Sequence, residues 1–525
     1  MPSFSRLLPA VFVALSCSLS SCASPHKPSP AAASTSAYPW EEPLRASLKK
    51  MAEELTATLK PWPVPARVVL PETYGAKADG VTLNTVAIQK AIDACSAAGG
   101  GTVLLAQGDY VSGTLDLKTG VMLEIAKDCR LLASTNLADY PDRIATRRTV
   151  MDTNMDMRQS LLFAEGVERI GLRGPGTIDF RGSQQNFPGK QTIGKTPGRP
   201  FGIRILDSKQ IVVENITLKN AACWLQNYLN CEDLIFQGMK VENQANHNND
   251  GIDIDGCRRV IVRDCFINAE DDAFCLKGAS LRPTEDMLVE NSTFYSTCNA
   301  FKIGTDTQGD FRRIYARNLI LGGIPKGLPN HKNTPQVSTG ITLATVDGAT
   351  VEDILIEDVV INHARAPIYL RIGERSRVLP GTPKVPAGPL RRIIIEDVTG
   401  TDNYRQGSII SGLGKPEKLI EDVIIRRVNL GMEGGGTAEM ITARVNDDQW
   451  SYPDAHQFSP KGLPAHGFYV RSAKRVHFED VTVTPAAPDA RPLFATAAPV
   501  ENITLNGRPL ESAVGAIPVP DYHRN

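Results

Sequence analysis

The run Asn248-Asn249-Asp250-Gly251-Ile252-Asp253 is followed about twenty residues later by Glu270-Asp271-Asp272. These acids fall in a stretch otherwise patterned as β-strand. Carboxyls held together on a rigid wall can divide acid–base work. One protonates a leaving oxygen and another activates water, which is the requirement of glycoside hydrolysis. Like charges at short range raise one another's pKa, so one Asp of such a group stays protonated near neutral pH. Residues of this type also suit a solvated acidic turn or a calcium site, and spacing alone leaves those readings open.

The elements that must position these acids recur along the chain. Apolar residues alternate, an Asn, Asp or Arg interrupts, and the alternation resumes, as in Val260-Ile261-Val262-Arg263-Asp264-Cys265-Phe266-Ile267. Met287–Phe294 and Ile314–Leu321 repeat the form, so that Asp264, Asn291 and Asn318 fall 27 residues apart. Later copies centre near Asp358, Asp397, Arg427 and Asp480. Propeller blades need about 40–45 residues and four strands, and leucine-rich repeats need a Leu framework that is absent. The pattern predicts an all-β, single-domain right-handed parallel β-helix, with stacked strands about 4.8 Å apart. On that fold Asp250 and the Asp271-Asp272 pair lie one coil apart, and Cys298-Asn299-Ala300-Phe301-Lys302 follows on the next. Lys277 and Lys302 are expected to stack. Asn215, Asn291 and Asn318 are read as a structural turn or stack.

Ahead of this domain the sequence predicts a helical lead-in over 41–70, with an amphipathic helix at 41–60, and the β-helix is assigned to 71–510. Asn84 to Ala98 carries Val86, Ile88, Ala91, Ile92 and Cys95 at helical spacing and ends at Gly99-Gly100-Gly101. Residues 1–21 read as an export signal, with Arg6 before a short apolar run from Leu7 to Leu15, too short to span a membrane. Leu19-Ser20-Ser21-Cys22 resembles a bacterial lipobox, which would make Cys22 a lipidated first residue and anchor the chain to a membrane. Cleavage near Ala23-Ser24 to a free secreted or periplasmic protein is the alternative. Residues 22–40 form a flexible linker rich in Ser, Pro and Ala.

The chain of 525 residues is 42% hydrophobic with a net charge of −1, which gives no general attraction for nucleic acid. Any acidic ligand must be recognised locally. No CxxC pair appears, and the eight cysteines beyond Cys22 are read mostly as small buried hydrophobes.

With these residues assembled, the chain resembles glycoside hydrolase family 28, the polygalacturonase-like pectinases, from about residue 70 to 480. Tyr74-Gly75-Ala76-Lys77-Ala78-Asp79-Gly80, Gly99-Gly100-Gly101-Thr102-Val103, Gly108-Asp109-Tyr110 and Gly174-Pro175-Gly176-Thr177-Ile178-Asp179 carry the fold part of the resemblance. The family's Asn-Thr-Asp motif matches Asn248-Asn249-Asp250 and its Gly-Asp-Asp motif matches Glu270-Asp271-Asp272. The resemblance implies an inverting hydrolase of galacturonate-containing pectin or its oligosaccharides. Asp271 would be the general acid, and Asp250 and Asp272 would activate water across a spacing of about 6.5–9.5 Å. Arg-Ile-Lys matches Arg371-Ile372-Gly373, so Arg371 would bind a substrate carboxylate.

Two departures bear on substrate preference. The family's Gly-His-Gly segment aligns at Asn299-Ala300, without the His, and Gly373 replaces the Lys of Arg-Ile-Lys. Lys302, Lys277, Asn299 and His247 join Arg371 as candidate substrate-binding residues. For the two lysines, ion pairing with the Asp cluster is an equal reading. For Trp224 and Tyr228 a sugar platform competes with buried core, and Asp253 and Asp255 are read as turn or ladder groups. The insertions at 322–340 and 374–388 are placed to close one end of a cleft, an expectation of exo action. The alternative is a polysaccharide lyase, or a glycosidase acting on another anionic glycan. A non-catalytic binding or adhesion β-helix is a third. The hydrolase reading expects no metal or cofactor, no nucleic-acid partner and a monomer.

Overall fold

The computed structural model describes residues 38–510, apart from 154, 190–197, 380, 416–417, 444, 446–449, 451, 456–457 and 459–461. The expected export signal, Cys22 and the linker up to residue 37 lie outside the described residues. From Trp40 onward the described residues make one compact unit.

Strand follows strand in parallel from Val68–Val69 onward, each paired with its counterparts on the preceding and following coils. Among the described residues the pairing of Thr504–Leu505 with Arg508–Pro509 is antiparallel, at the end of the stack. The expected right-handed parallel β-helix is the fold. Side chains alternate between the inside of the coil and its outer surface. One inward column runs Tyr228, Ile254, Leu276, Ile303, Leu343, Leu370, Ile410 and Val470 in continuous register. All eight are buried in a single core. The adjacent outward column is Asn227, Asp253, Cys275, Lys302, Thr342, Tyr369, Ile409 and Tyr469. Chemistry therefore sits one residue away from the core on the same strands.

The recurring polar residues turn the chain. Asp264, Asn291, Asn318, Asp358, Asp397, Arg427 and Asp480 all have φ between +50° and +59°, the left-handed region that Asn and Asp tolerate best. Asn318 Nδ2 donates to Asn291 Oδ1 across 2.8 Å, so the corner is also a side-chain ladder. A second left-handed corner alternates acid and base down the stack. Arg313 Nε donates to Asp286 Oδ1 at 2.6 Å, Arg392 to Asp353 at 2.6 Å, and Arg475 to Asp422 at 2.7 Å. Each guanidinium faces the carboxylate one coil earlier.

Besides a short helix at Ala438–Ile441, two longer helices occur among the described residues. The second, α2 (Thr85–Ala97), packs Ile88, Ala91, Ile92 and Cys95 into the core at the start of the stack. It stops where Gly100 adopts φ +99°, and a Cβ there would lie 2.5 Å from the Gly120 carbonyl oxygen. The first, α1 (Glu41–Thr58), crosses the outside of five successive coils, touching strands from Arg258–Arg263 to Leu390–Asn403. Leu44, Leu48, Ala52 and Leu55 form its buried face. The outward residues Ile261, Leu288, Tyr315, Leu355 and Ile394 on those coils are at most 1% exposed. Near the N-terminal end, Arg45 Nη2 lies 3.0 Å from Glu396 Oε2, and Glu41 pairs with Arg426.

The structure corrects one stacking expectation. Lys302 stands over Cys275, and Lys277 stands over Asp255. The register shifts between Leu276 and Gly278, so the two lysines share a face two positions apart along the strand. The eight described cysteines are free thiols, seven of them buried.

Candidate active site

The acidic motif is held by its own neighbours. Asn249 is fully buried and uses its whole amide. Its Oδ1 accepts from the amides of Ala245 (2.9 Å) and Asn246 (2.6 Å), and its Nδ2 donates to the carbonyls of Ala221 (2.9 Å) and Cys223 (3.0 Å). This clamps the loop that delivers Asp250. A Cβ on Gly251 would lie 2.5 Å from the Ala273 carbonyl, so the residue after Asp250 must be glycine for the coils to stack. Gly251 N then donates to Asp272 O (2.8 Å), and Ala273 N donates to Asn299 O (2.9 Å). Asp250, Asp272 and Asn299 thus come to one level on three consecutive coils, each just ahead of its strand.

Asp272 is buried and fully engaged. Lys302 Nζ donates to its Oδ2 at 2.6 Å and Asn299 Nδ2 to its Oδ1 at 2.6 Å. Burial alone would push this carboxyl up, but the ammoniums of Lys302 and Lys277 and these two hydrogen bonds hold it below the usual carboxylate range. Asp271, half-buried, goes the other way: desolvation and the charges of Asp272 and Glu270 raise it, against Lys302 and Lys332. Asp250 lies well above the ordinary carboxyl value, from burial first and then from Asp253 and Asp271, with Lys277 opposing. Adjacent carboxyls are therefore pushed apart in proton affinity, Asp272 downward and Asp271 and Asp250 upward, the arrangement that separates an acid from a base.

These groups line a cavity of about 490 Å³. Asp250, Asp271, Asp272, Lys277, His247 and Asn248 belong to its wall, together with Trp224, Arg199, Asp306, Arg375, Arg377 and Tyr452. Lys277 pairs with buried Asp253 at 3.3 Å and lies 4.5 Å from the Trp224 ring centre. Both candidate lysines are thus in ion pairs with the Asp cluster. Tyr228 is in the core, whereas Trp224 combines a buried ring, edge-on to Phe201, with a place on the cavity wall. Asp255 accepts the amides of Ala279 (3.2 Å) and Ser280 (3.1 Å). Asn299 is bonded to Asp272 and lies outside the wall.

Arg371 is also outside the wall. It is 1% exposed, donates to Ser411 Oγ at 3.1 Å, and stacks against Phe458 with its guanidinium 5.0 Å from the ring centre. Among the described residues, the guanidiniums that reach the cavity are those of Arg199, Arg375 and Arg377. Arg377 Nη1 donates to Asp306 Oδ1 at 3.0 Å, while its buried Nη2 has no hydrogen-bond partner among the described residues. Arg375 and Arg377 alternate at the start of the 374–388 insertion, a signal readable in the sequence. Arg199 carried none, because it lies 49 residues ahead of the residue it contacts, Asn248.

Glu270, where the family motif has Gly, is buried and tied to the other insertion. Lys332 Nζ lies 3.0 Å from its Oε1, His247 Nδ1 lies 3.5 Å away, and Asn249 N donates to its Oε2 at 3.3 Å. His331 stands edge-on to His247 at 5.4 Å. Among the described residues, Asp271, Asp272 and Cys298 bring ligand atoms within 4.8 Å of one another, a set a metal could use. The Lys302 ammonium already holds the cationic position beside Asp272.

A right-handed parallel β-helix with a carboxyl cluster of divided proton affinity on its outer face defines a glycosidase type of site. The family model for glycosyl hydrolases family 28 matches residues 95–447, more than half of the chain. The chain belongs to that family, whose members are glycoside hydrolases acting on O-glycosidic bonds. It is 26% identical over 301 residues to a probable polygalacturonase of Vitis vinifera, covering 54% of this chain and 58% of that protein. It is 22% identical over 390 residues to an exo-poly-alpha-D-galacturonosidase of Dickeya chrysanthemi, covering 63% and 62% of the two chains. The chain thus spans about three fifths of the length of these relatives. In structure it is similar to a family 28 exopolygalacturonase of Yersinia enterocolitica, with TM-score 0.65 and 18% identity, covering 85% of this chain and 79% of that one. It is also similar to an exopolygalacturonase of Thermotoga maritima, with TM-score 0.62 and 19% identity over 73% and 91% of the chains.

Proposed function

We propose that this chain is an inverting hydrolase of galacturonate-containing glycosidic bonds in pectin or pectic oligosaccharides. The observation that carries the reading is the split between Asp272, held ionised by Lys302 and Asn299, and Asp271, raised beside it on the same cavity wall. Asp271 gives its proton to the glycosidic oxygen as the C–O bond breaks. Asp272 and Asp250 orient a water, and an ionised member of the pair takes its proton as the new C–O bond forms on the opposite face. Arg375 and Arg377 are the side chains that we assign to a uronate carboxylate, in place of Arg371. His247, exposed on the wall, serves as a further substrate contact.

The insertion carrying Lys332 packs on Glu270 at the acid motif, and Arg375, Arg377 and Tyr452 rise from other inserted segments. Walls of this kind favour attack at chain ends, and the relatives described as exo-acting support that reading. Export with lipidation at Cys22, and a monomeric state, complete the proposal. The lipidation part is tested by whether Cys22→Ala moves the protein from the membrane to the soluble fraction.

The main test is mass spectrometry of products from de-esterified homogalacturonan and rhamnogalacturonan, comparing wild type with Asp271→Asn. Saturated products that fall by about 10²-fold or more in the variant are expected. Unsaturated products would overturn hydrolysis in favour of a lyase, and no product from either polymer would overturn the substrate.

A further inference from the structure

The side chain of Asn248 stands between two groups of opposite character. Its Oδ1 accepts from Arg199 Nη2 at 2.8 Å, and its Nδ2 donates to Asp271 Oδ2 at 3.3 Å. Asn248 is exposed, and its backbone is left-handed with φ +53°, so packing does little to choose between the two faces of its amide. Arg199 is the rigid member. It is 4% exposed, and its Nη1 is anchored by the carbonyls of Ala222 (3.2 Å) and His247 and by Asn246 Oδ1 (3.4 Å). A guanidinium has donors only. The amide oxygen must therefore face Arg199, and the NH₂ group must face Asp271.

We propose that Arg199 is a positioning residue for Asp271, acting through the Asn248 amide. The proposal rests on Asp271 being the general acid. With an N–H directed at Oδ2, that oxygen is kept as the acceptor, and the proton of the neutral carboxyl is carried on Oδ1. Without Arg199 the amide is free to turn. Its carbonyl then accepts the Asp271 proton, which stabilises the neutral acid and directs the proton away from the glycosidic oxygen. Asp271 would hold its proton more tightly and deliver it less well. The other charged or titratable groups facing Asp271 are Asp272 and Glu270 beside it, Asp250 on the coil before, Cys298 and Lys302 on the coil after, and Lys332 and Tyr452 from the inserted segments. None of these contacts Arg199 through a described hydrogen bond, so they stay in place when it is changed.

The test combines a titration with kinetics on the full chain. In protein carrying ¹³C at the Asp carboxyls, the Asp271 signal is identified by its loss in Asp271→Asn. In Arg199→Met its titration midpoint should move up by about one pH unit. Asn248→Gly, which suits the left-handed backbone, should do the same while leaving the buried Arg untouched. A midpoint unchanged in both variants overturns the proposal, whatever the substrate proves to be. On polygalacturonate, Arg199→Met should lower kcat by about 10²-fold with KM little changed, and the alkaline limb of the pH profile should move up. Hydrolysis of a nitrophenyl galacturonide, whose leaving group needs no proton, should fall much less, and Arg199→Lys should restore part of the loss. A raised KM with kcat intact would overturn the proposal by making Arg199 a substrate contact. Full activity in Asp271→Asn would instead sink the acid assignment itself, and the carboxyl titration would still report whether Arg199 governs Asp271.

Discussion

Lys302 Nζ lies 2.6 Å from Asp272 Oδ2, with both side chains at most 3% exposed. Removing the ammonium leaves a buried carboxylate with Asn299 and the more distant Lys277 to hold its charge. Lys302→Met should therefore raise the Asp272 pKa. A base is active when ionised, so the acid limb of the kcat/KM profile should move to higher pH, with activity falling even at the optimum. Breaking one side of a buried pair should also cost about 3–5 kcal/mol of stability. Denaturant titration of the variant checks the second effect and pH-rate profiles the first.

Arg377 offers a different kind of change. One arm is held by Asp306 at 3.0 Å, and the other is buried on the cavity wall without a hydrogen-bond partner among the described residues. Arg377→Met should raise KM for free polygalacturonate by about tenfold or more, with kcat little affected, because hydrogen bonds to charged groups are worth roughly 1.5–3 kcal/mol. Methyl-esterified substrate, which lacks the carboxylate charge, should lose much less. Equal losses on both substrates would remove Arg377 from carboxylate recognition.

Leu48 is fully buried between α1 and the outside of the coils. Leu48→Ala should cost about 2–5 kcal/mol in urea unfolding, as other buried Leu truncations do. The kinetic constants of the folded variant should not change, since α1 touches strands from Arg258–Arg263 to Leu390–Asn403, and no residue of the strands it touches lines the cavity.

Asp255 makes stability depend on pH in a stated direction. Burial pushes its carboxyl up to about 7, against the amide hydrogen bond from Ser280. Its folded pKa is raised above the unfolded value, so the folded state holds the proton more tightly. The contribution is fully present below about pH 4 and is lost as pH rises toward 7, with a slope of at most about 1.4 kcal/mol per pH unit. Asp255→Asn should flatten that part of the stability profile between pH 4 and 7. An unaltered profile would show that Asp255 does not titrate in this window.

The fold was legible because its repeat is written in corner residues. Asp264, Asn291 and Asn318 are spaced by one coil, and each adopts the backbone conformation that only a few residue types accept without strain. The acids were legible for a related reason. Stacking makes residues one coil apart into neighbours, so Asp250 and Asp271-Asp272 could be brought together from spacing alone. The surrounding cations were less accessible. Lys277 and Lys302 are separated by nearly one repeat, but the register shift after Leu276 offsets them, and no sequence pattern announced that shift. Arg371 matched a motif, yet Phe458, from a segment nearly ninety residues on, covers it. Arg199 reaches the site from just ahead of the strand two coils before that of Asp250, through a contact that depends on loop geometry. Inserted segments decide which side chains see the cavity, and insertions fall outside the repeat that made the rest readable.

The placement of α1 gives the rod a mechanical character. A stack of coils joined by rows of parallel hydrogen bonds opens most easily when one end coil is peeled, breaking a single rung at a time. A helix that lies across five coils, with Arg45 and Glu41 fastened to Glu396 and Arg426, does not present that geometry. Tension applied to the chain at Glu41 would act in shear along the whole contact, loading several coils together. The coils that hold Asp250, Asp271, Asp272 and Lys302 lie within or next to the span so reinforced, so the cavity wall would be among the last parts of the rod to part under load.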